Sequence, residues 1–293
     1  MFKLGDQVAL VANSNGLKPS QQLEIKALIQ VLNNWGLTVK VSPYLYATSK
    51  QVSASAKKRG DILMTYMKDP SIQGIFDVSG GDVANEVLPY LDMSVIKEAN
   101  TPFFGYSDVT TLLNAIYKKT GVPTYLYQLR HLVSETGESQ SQKWAKETFF
   151  HQQPSLFQVD WQWLAGSQMT GLVVGGNIRC LLKLAGTPYF PNLTDSLLFL
   201  ESMSGDEAKI RTYFAQLHQL GVFQQVNGVL LGTFTQLDQR LSFTSSTELL
   251  LDLIDTPSLP IVRTEQIGHS PQSKGLMIGK EWQLRREEKG QNF

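Results

Sequence analysis

The sequence predicts an α/β protein: a doubly wound, mostly parallel sheet in an N-terminal domain, followed by a smaller C-terminal α/β domain. Three observations predict it. Gln7 to Ala12 is a near-continuous apolar run, the pattern of a strand buried on both faces of a parallel sheet. Further apolar runs alternate with stretches of helical period that end at a glycine or a proline. The 293 residues exceed a typical single domain, and the apolar periodicity fades in mid-chain before it resumes.

Taken in order, the first strand leads into the loop Asn13-Ser-Asn-Gly16 and a helix over Pro19 to Trp35. Leu28, Val31, Leu32 and Trp35 share one face of that helix at i, i+3, i+4 and i+7, and Gly36 stops it. Leu37 to Val41 reads as the second strand. A helix over Ala56 to Met67 ends at Asp69-Pro70, and Gly74 to Val78 is a third strand running into Gly80-Gly81. A short helix to about Leu91 and a fourth strand, Thr101 to Gly105, follow. The helix after Ser107 carries Val109, Leu112, Leu113 and Ile116 on one face. Lys118 and Lys119 suit its negative end, and Gly121 closes it.

Between Ser134 and Gln153 polar residues dominate, which predicts a connection. The expected boundaries are 1–135 for the N-terminal domain, 136–168 for the connection and 169–293 for the C-terminal domain. In the last, Gly171 to Asn177 reads as a strand and glycine turn, Ile178 to Leu184 as a helix and Ser196 to Leu200 as a buried strand. A helix with Ile210, Tyr213, Phe214 and Leu217 on one face comes next. Gly228 to Phe234 and Leu259 to Val262 read as strands, and Lys280 to Arg286 as an edge strand.

Composition narrows the function classes. Lys+Arg and Asp+Glu are both 26, so no basic excess recommends nucleic acid or an anionic membrane as partner. The single cysteine, Cys180, excludes a disulfide within the chain and a Cys-rich metal site, and its apolar neighbours make it a small buried hydrophobe. No His-x-x-x-His or His/Cys cluster exists, so no metal site is expected. The N-terminus enters a strand directly and no apolar run approaches the ~20 residues of a membrane span, so a cytoplasmic protein is expected.

Ser107, in Phe104-Gly-Tyr-Ser-Asp-Val109, stands where a buried strand should turn sharply into a helix. That is the setting of a nucleophile elbow, and also of a plain N-cap; the second glycine of Gly-x-Ser-x-Gly is absent. Gly80-Gly81 follows a strand and would let backbone amides approach a ligand, or would only turn the chain. Its spacing is not that of a dinucleotide fingerprint. Glu201 ends an apolar strand, where a carboxylate is costly unless paired. Of the four histidines, His151 lies in the polar connection, and His218 lies beside the apolar face of its helix, where it is expected to be exposed. His131 follows a strand, and His269 sits in a loop after one.

Together these segments resemble the LD-carboxypeptidase family of serine peptidases, including its microcin-immunity branch. The resemblance is carried by Ser79-Gly-Gly-Asp-Val-Ala-Asn-Glu-Val-Leu-Pro-Tyr-Leu-Asp92, Phe104 to Leu112, Gly175-Gly-Asn-Ile178, Ala185-Gly-Thr-Pro188, Leu198-Phe-Leu-Glu201 and Gly268-His269. Ile116 to Gly121 is similar to the microcin-immunity branch. The resemblance implies a Ser107–Glu201–His269 triad in a cleft between the domains, with an oxyanion hole from the amide of Asp108 and one from Gly80 or Gly81. It implies no cofactor, a homodimer, and release of terminal D-Ala from a cytoplasmic murein tetrapeptide. The alternatives are hydrolysis of an aminoacyl- or peptidyl-nucleotide amide, and a homologue that binds peptide without cleaving it. Asp82, where the family often has an aromatic, and Tyr125-Leu-Tyr-Gln128, where it usually has Gly-Pro, depart from the pattern. Asp82, Tyr106, Gln128 and Arg130 are therefore the candidate substrate contacts.

Overall fold

The apolar runs assemble into two six-stranded sheets in the computed structural model, which describes residues 1–48, 51–134, 139–239, 245–254 and 258–286. The first half of the chain supplies β1 (Gln7–Val11), α1 (Gln22–Asn34), β2 (Thr38–Val41), α2 (Ala56–Lys68), β3 (Ile72–Asp77), α3 (Met93–Ala99), β4 (Phe103–Gly105), α4 (Thr110–Thr120) and β5 (Thr124–Leu126). These five strands are parallel, in the order β5-β4-β3-β1-β2. Alternate side chains go to opposite faces, as the strand period of two requires. Ala9, Val11, Ile75 and Phe103 enter one core, while Val8, Leu10, Phe76 and Phe104 enter another with Leu28, Leu32 and Phe149. Burial on both faces explains why these strands read as continuous apolar runs.

The second sheet contains β6 (Gln162–Ala165), β7 (Gln168–Asn177), β8 (Ser196–Ser202), β9 (Gly228–Phe234), β10 (Ile261–Arg263) and β12 (Glu281–Arg285), in the order β12-β7-β8-β9-β10-β6. Its four central strands are parallel and its two edges antiparallel. One face packs with α7 (Glu207–Gln219) through Ile210, Phe214 and Leu217. The other face, including Val173, Leu197, Phe199 and Leu230, joins the core under the first sheet. The two sheets thus share a continuous apolar core.

Several expectations are revised. The short helix before Leu91 is a 3-10 turn, Ala84–Tyr90, interrupted by Pro89; the true helix is α3, capped by the Asp92 carboxylate at the amides of Ser94 and Val95. The polar connection contains α5 (Gln140–His151), capped by Ser139, whose narrow stripe of Ala145 and Phe149 is buried against the first sheet. The expected glycine turn at Gly175-Gly176 is still strand, because β7 runs on to Asn177 with φ of +110° and +138° at the glycines. Finally, β11 (Leu276–Ile278), from the C-terminal part of the chain, pairs with β5 and completes the first sheet. His218 is half-buried against Phe223, not exposed.

Candidate active site

The carboxyl ends of β1, β3 and β4 in the first sheet and of β7, β8 and β10 in the second lead into the loops that carry the candidate residues, the usual ligand side of open parallel sheets. Ser107 follows β4 with φ of +54°, a left-handed conformation that costs a residue with a side chain about 1–2 kcal/mol. The strand end can cross this elbow only at glycine, since a Cβ on Gly105 would lie 2.3 Å from Cγ1 of Val109. Helix α4 starts three residues after Ser107, and its cap position is Val109, with no side-chain cap bond. Ser107 is therefore not an N-cap. Its hydroxyl makes no hydrogen bond among the described residues and lines a cavity of about 410 Å³ with Gly81, Asn177 and Arg179.

Helix α4 is docked on the second sheet through close contacts. Asn114 Nδ2 donates to the Gly175 carbonyl (2.8 Å), and the Gly175 amide donates to Asn114 Oδ1 (2.9 Å). The Asn177 amide donates to Thr110 Oγ1 at 3.0 Å. A Cβ on Gly176 would come within 2.6 Å of that same oxygen. This contact brings the helix that follows Ser107 to the strand beside Glu201.

Glu201 is fully buried in β8 and opposite Asn177 in register. Asn177 Nδ2 donates to its Oε1 at 3.1 Å, while its Oε2 lies 2.8 Å from Nδ1 of His269. The distance suits a hydrogen bond, although the ring is not aligned for a linear one. Nε2 of His269 has no hydrogen-bond partner among the described residues. The ring of Tyr106, the residue before Ser107, meets His269 edge-on with centroids 4.9 Å apart. Ser273 holds the loop by accepting from the Gly268 amide at 2.9 Å.

Gly81 lines this cavity and Gly80 precedes it, and no hydrogen bond from either amide occurs among the described residues. Gly81 has φ of +135°, and a Cβ there would collide with Asn15. Asp108 is fully buried; its carboxylate takes Ser14 Oγ (2.6 Å), the Ala84 amide (2.8 Å) and an ion pair with Lys183. Burial alone would raise this carboxyl, but the bonds from Lys183 and Ser14 outweigh it and hold it below its ordinary value.

The other candidates are placed differently. Asp82 is exposed and ion-paired to Arg179. Tyr106 is 2% exposed, and burial, reinforced by the Glu201 charge, pushes its phenol well up. Gln128 is buried and caps the following turn, and Arg130 pairs with Glu24 at 3.2 Å. His131 lies behind Tyr106, with its ring centroid 6.3 Å away, and burial pulls its imidazole down to about 4. Cys180 is buried, as expected, and burial pushes its thiol well up. Trp161 borders a separate cavity of about 340 Å³ with Gln266 and stands edge-on to Trp282. Sequence reasoning missed Asn177 as the partner of Glu201, and Arg179 and Lys183 as ligands of the Gly80-Gly81 loop. The i,i+4 spacing of the two cations was the available signal.

Among the described residues, no group of three or more His, Cys, Asp or Glu could hold a metal ion. No helix there is long and apolar enough to cross a membrane.

Two family models match the chain: the LD-carboxypeptidase N-terminal domain over residues 8–127 and the LD-carboxypeptidase C-terminal domain over residues 170–284. The chain is 27% identical over 258 residues to the microcin C7 self-immunity protein MccF of Escherichia coli, covering 78% of this chain and 75% of that protein. It is 24% identical over 296 residues to a probable murein peptide carboxypeptidase of Bacillus subtilis, covering 97% and 90%. The solved structure of MccF in complex with aspartyl sulfamoyl adenosine matches with a TM-score of 0.86 at 20% identity, over 97% of this chain and 94% of that one, a likeness of fold.

Proposed function

Because the chain belongs to the LD-carboxypeptidase family and is a peptidase of that family, we propose that it cleaves its substrate through a Ser107–His269–Glu201 triad. The observation that carries this reading is a strained serine on an elbow, next in the chain to Tyr106, whose ring meets a histidine whose Nδ1 faces a buried carboxylate. In the proposed reaction Nε2 of His269 takes the proton of Ser107 Oγ as the oxygen attacks an amide carbonyl. Glu201, held by Asn177, orients the ring and stabilises its positive charge. The amides of Asp108 and of Gly80 or Gly81 receive the oxyanion at the positive end of the elbow helix. His269 then returns the proton to the leaving amine, and water releases the acyl group by the same steps in reverse order.

The proposed substrate is a cytoplasmic murein tetrapeptide, cut to release its terminal D-Ala, and the proposed assembly is a homodimer. The similarity to a probable murein peptide carboxypeptidase supports the substrate. The second reading, an aminoacyl- or peptidyl-nucleotide amide, is favoured by the similarity to MccF, whose solved complex contains aspartyl sulfamoyl adenosine. Mass spectrometry of both substrates with the wild type and with Ser107→Ala separates the readings. Loss of one D-Ala from the tetrapeptide with wild type alone supports the first. Cleavage of only the nucleotide amide supports the second. Equal turnover by Ser107→Ala refutes the triad.

A further inference from the structure

The Gly80–Asp82 loop makes an unusual set of contacts. Its three carbonyls are all taken: Gly80 O accepts from the Asn15 amide (3.3 Å), Gly81 O from Arg179 Nη2 (3.0 Å) and Asp82 O from Lys183 Nζ (2.9 Å). The Asp82 amide donates to Asn15 Oδ1 at 2.7 Å, and the Asp82 carboxylate is paired with Arg179. Among the described residues, what remains unpaired is the two amides of Gly80 and Gly81, on the loop that borders the Ser107 cavity. Lys183 carries the same link further, because its ammonium also binds the carboxylate of Asp108, the residue whose amide follows the serine.

Both cations come from one place. Arg179 lies in the short helix α6 (Ile178–Leu182), and Lys183 is its cap residue. They are four residues apart, so they project from the same face. The helix directly follows β7 and Asn177, the residue that holds Glu201. One segment, Asn177 to Lys183, therefore touches the acid of the proposed triad and the loop carrying the proposed oxyanion donors.

Resting on the triad reading, we infer that Arg179 and Lys183 are positioning residues of the oxyanion hole. By binding the carbonyls of Gly81 and Asp82, they fix the two peptide planes that follow Gly81, while the Asn15 amide on Gly80 O holds the plane that contains the Gly81 amide; the glycine pair is thus anchored on both sides. By binding Asp108, Lys183 locks that loop to the elbow. Neither cation needs to touch the substrate. Donors of this kind act only if they are already in place when charge develops on the oxygen, and a displacement of about 1 Å can cost about 10²-fold in rate.

The test uses a fluorophosphonate probe on the full chain. Ser107 Oγ would bond to phosphorus as the P–F bond breaks and fluoride leaves, its proton passing to His269 Nε2, and the phosphoryl oxygen would need the same donors as a peptide oxyanion. Labelling of the wild type but not of Ser107→Ala checks the nucleophile independently of any peptide substrate. A wild type that is not labelled refutes the nucleophile and this inference with it. Given labelling, Lys183→Met and Arg179→Met should each slow the covalent step by about 10²-fold, with the probe's binding constant changed by less than about threefold. Lys183→Arg should recover part of the rate. Asp82→Asn, at an exposed position that does not threaten folding, should slow labelling several-fold by weakening the hold of Arg179. Unchanged labelling rates in folded variants, or losses that follow the fall in unfolding midpoint and appear equally in binding, would overturn the assignment and leave the two cations a purely structural role.

Discussion

Replacing Ser107 by glycine should abolish activity and yet make the protein more stable than replacing it by alanine. The residue sits at φ of +54°, where a Cβ crowds the following carbonyl at about 1–2 kcal/mol. Ser107→Ala keeps the Cβ and loses a hydroxyl that bonds to nothing among the described residues, so its stability should stay within about 0.5 kcal/mol of the wild type. Ser107→Gly removes the strain but adds about 0.5–1 kcal/mol of backbone entropy to the unfolded chain. The difference leaves glycine ahead of alanine by about 1 kcal/mol. Ala27 is the control: it is exposed in the middle of α1, where Ala27→Gly should cost about 1 kcal/mol. Urea titration followed by tryptophan fluorescence, extrapolated to water, measures all of these. The same chemical change should thus have opposite signs at positions 107 and 27. If Ser107→Gly is no more stable than Ser107→Ala, the elbow is not strained and the argument that the fold holds this serine for catalysis fails.

Glu201→Gln should leave the circular dichroism spectrum unchanged and lower kcat about 10³-fold or more, because a neutral amide cannot stabilise the imidazolium; retention of full activity would remove Glu201 from the triad. His131 should make the protein acid-sensitive. Its folded value of about 4 lies below the ordinary 6.5, so the unfolded chain binds more protons in that window and stability falls as pH drops from 6.5 towards 4. At about 1.4 kcal/mol per pH unit this amounts to roughly 3 kcal/mol, and His131→Gln should flatten that part of the urea-midpoint profile. Gly176→Ala should cost about 3 kcal/mol, combining backbone strain at φ of +138° with a clash at Thr110, and should reduce turnover by shifting α4; an unchanged unfolding midpoint would count against this contact as the hinge of the site.

The parallel strands were legible because burial on both faces leaves a continuous apolar run, as in Gln7 to Ala12, and the helices because one face repeats at 3.6 residues, as in α1 and α4. Elements held by few apolar residues were not legible. Helix α5 presents only a narrow stripe around Ala145 and Phe149, and β11 is three residues whose partner, β5, lies 150 residues earlier in the register of Leu276 with Leu126. Ser107, Glu201 and His269 stood out because each is a reactive side chain at the end of an apolar strand, a placement that local sequence can display. That Glu201 meets His269 could not be read, since 68 residues separate them, and Ser107 lies another 94 residues before Glu201. Tertiary structure alone decided that Asn177 holds the acid, that Arg179 and Lys183 hold the glycine loop, and that Tyr106 is buried under the histidine. Local patterning reports how one segment meets water and its own neighbours along the chain. Which charge satisfies which is settled only when the shared core has pressed the two sheets together.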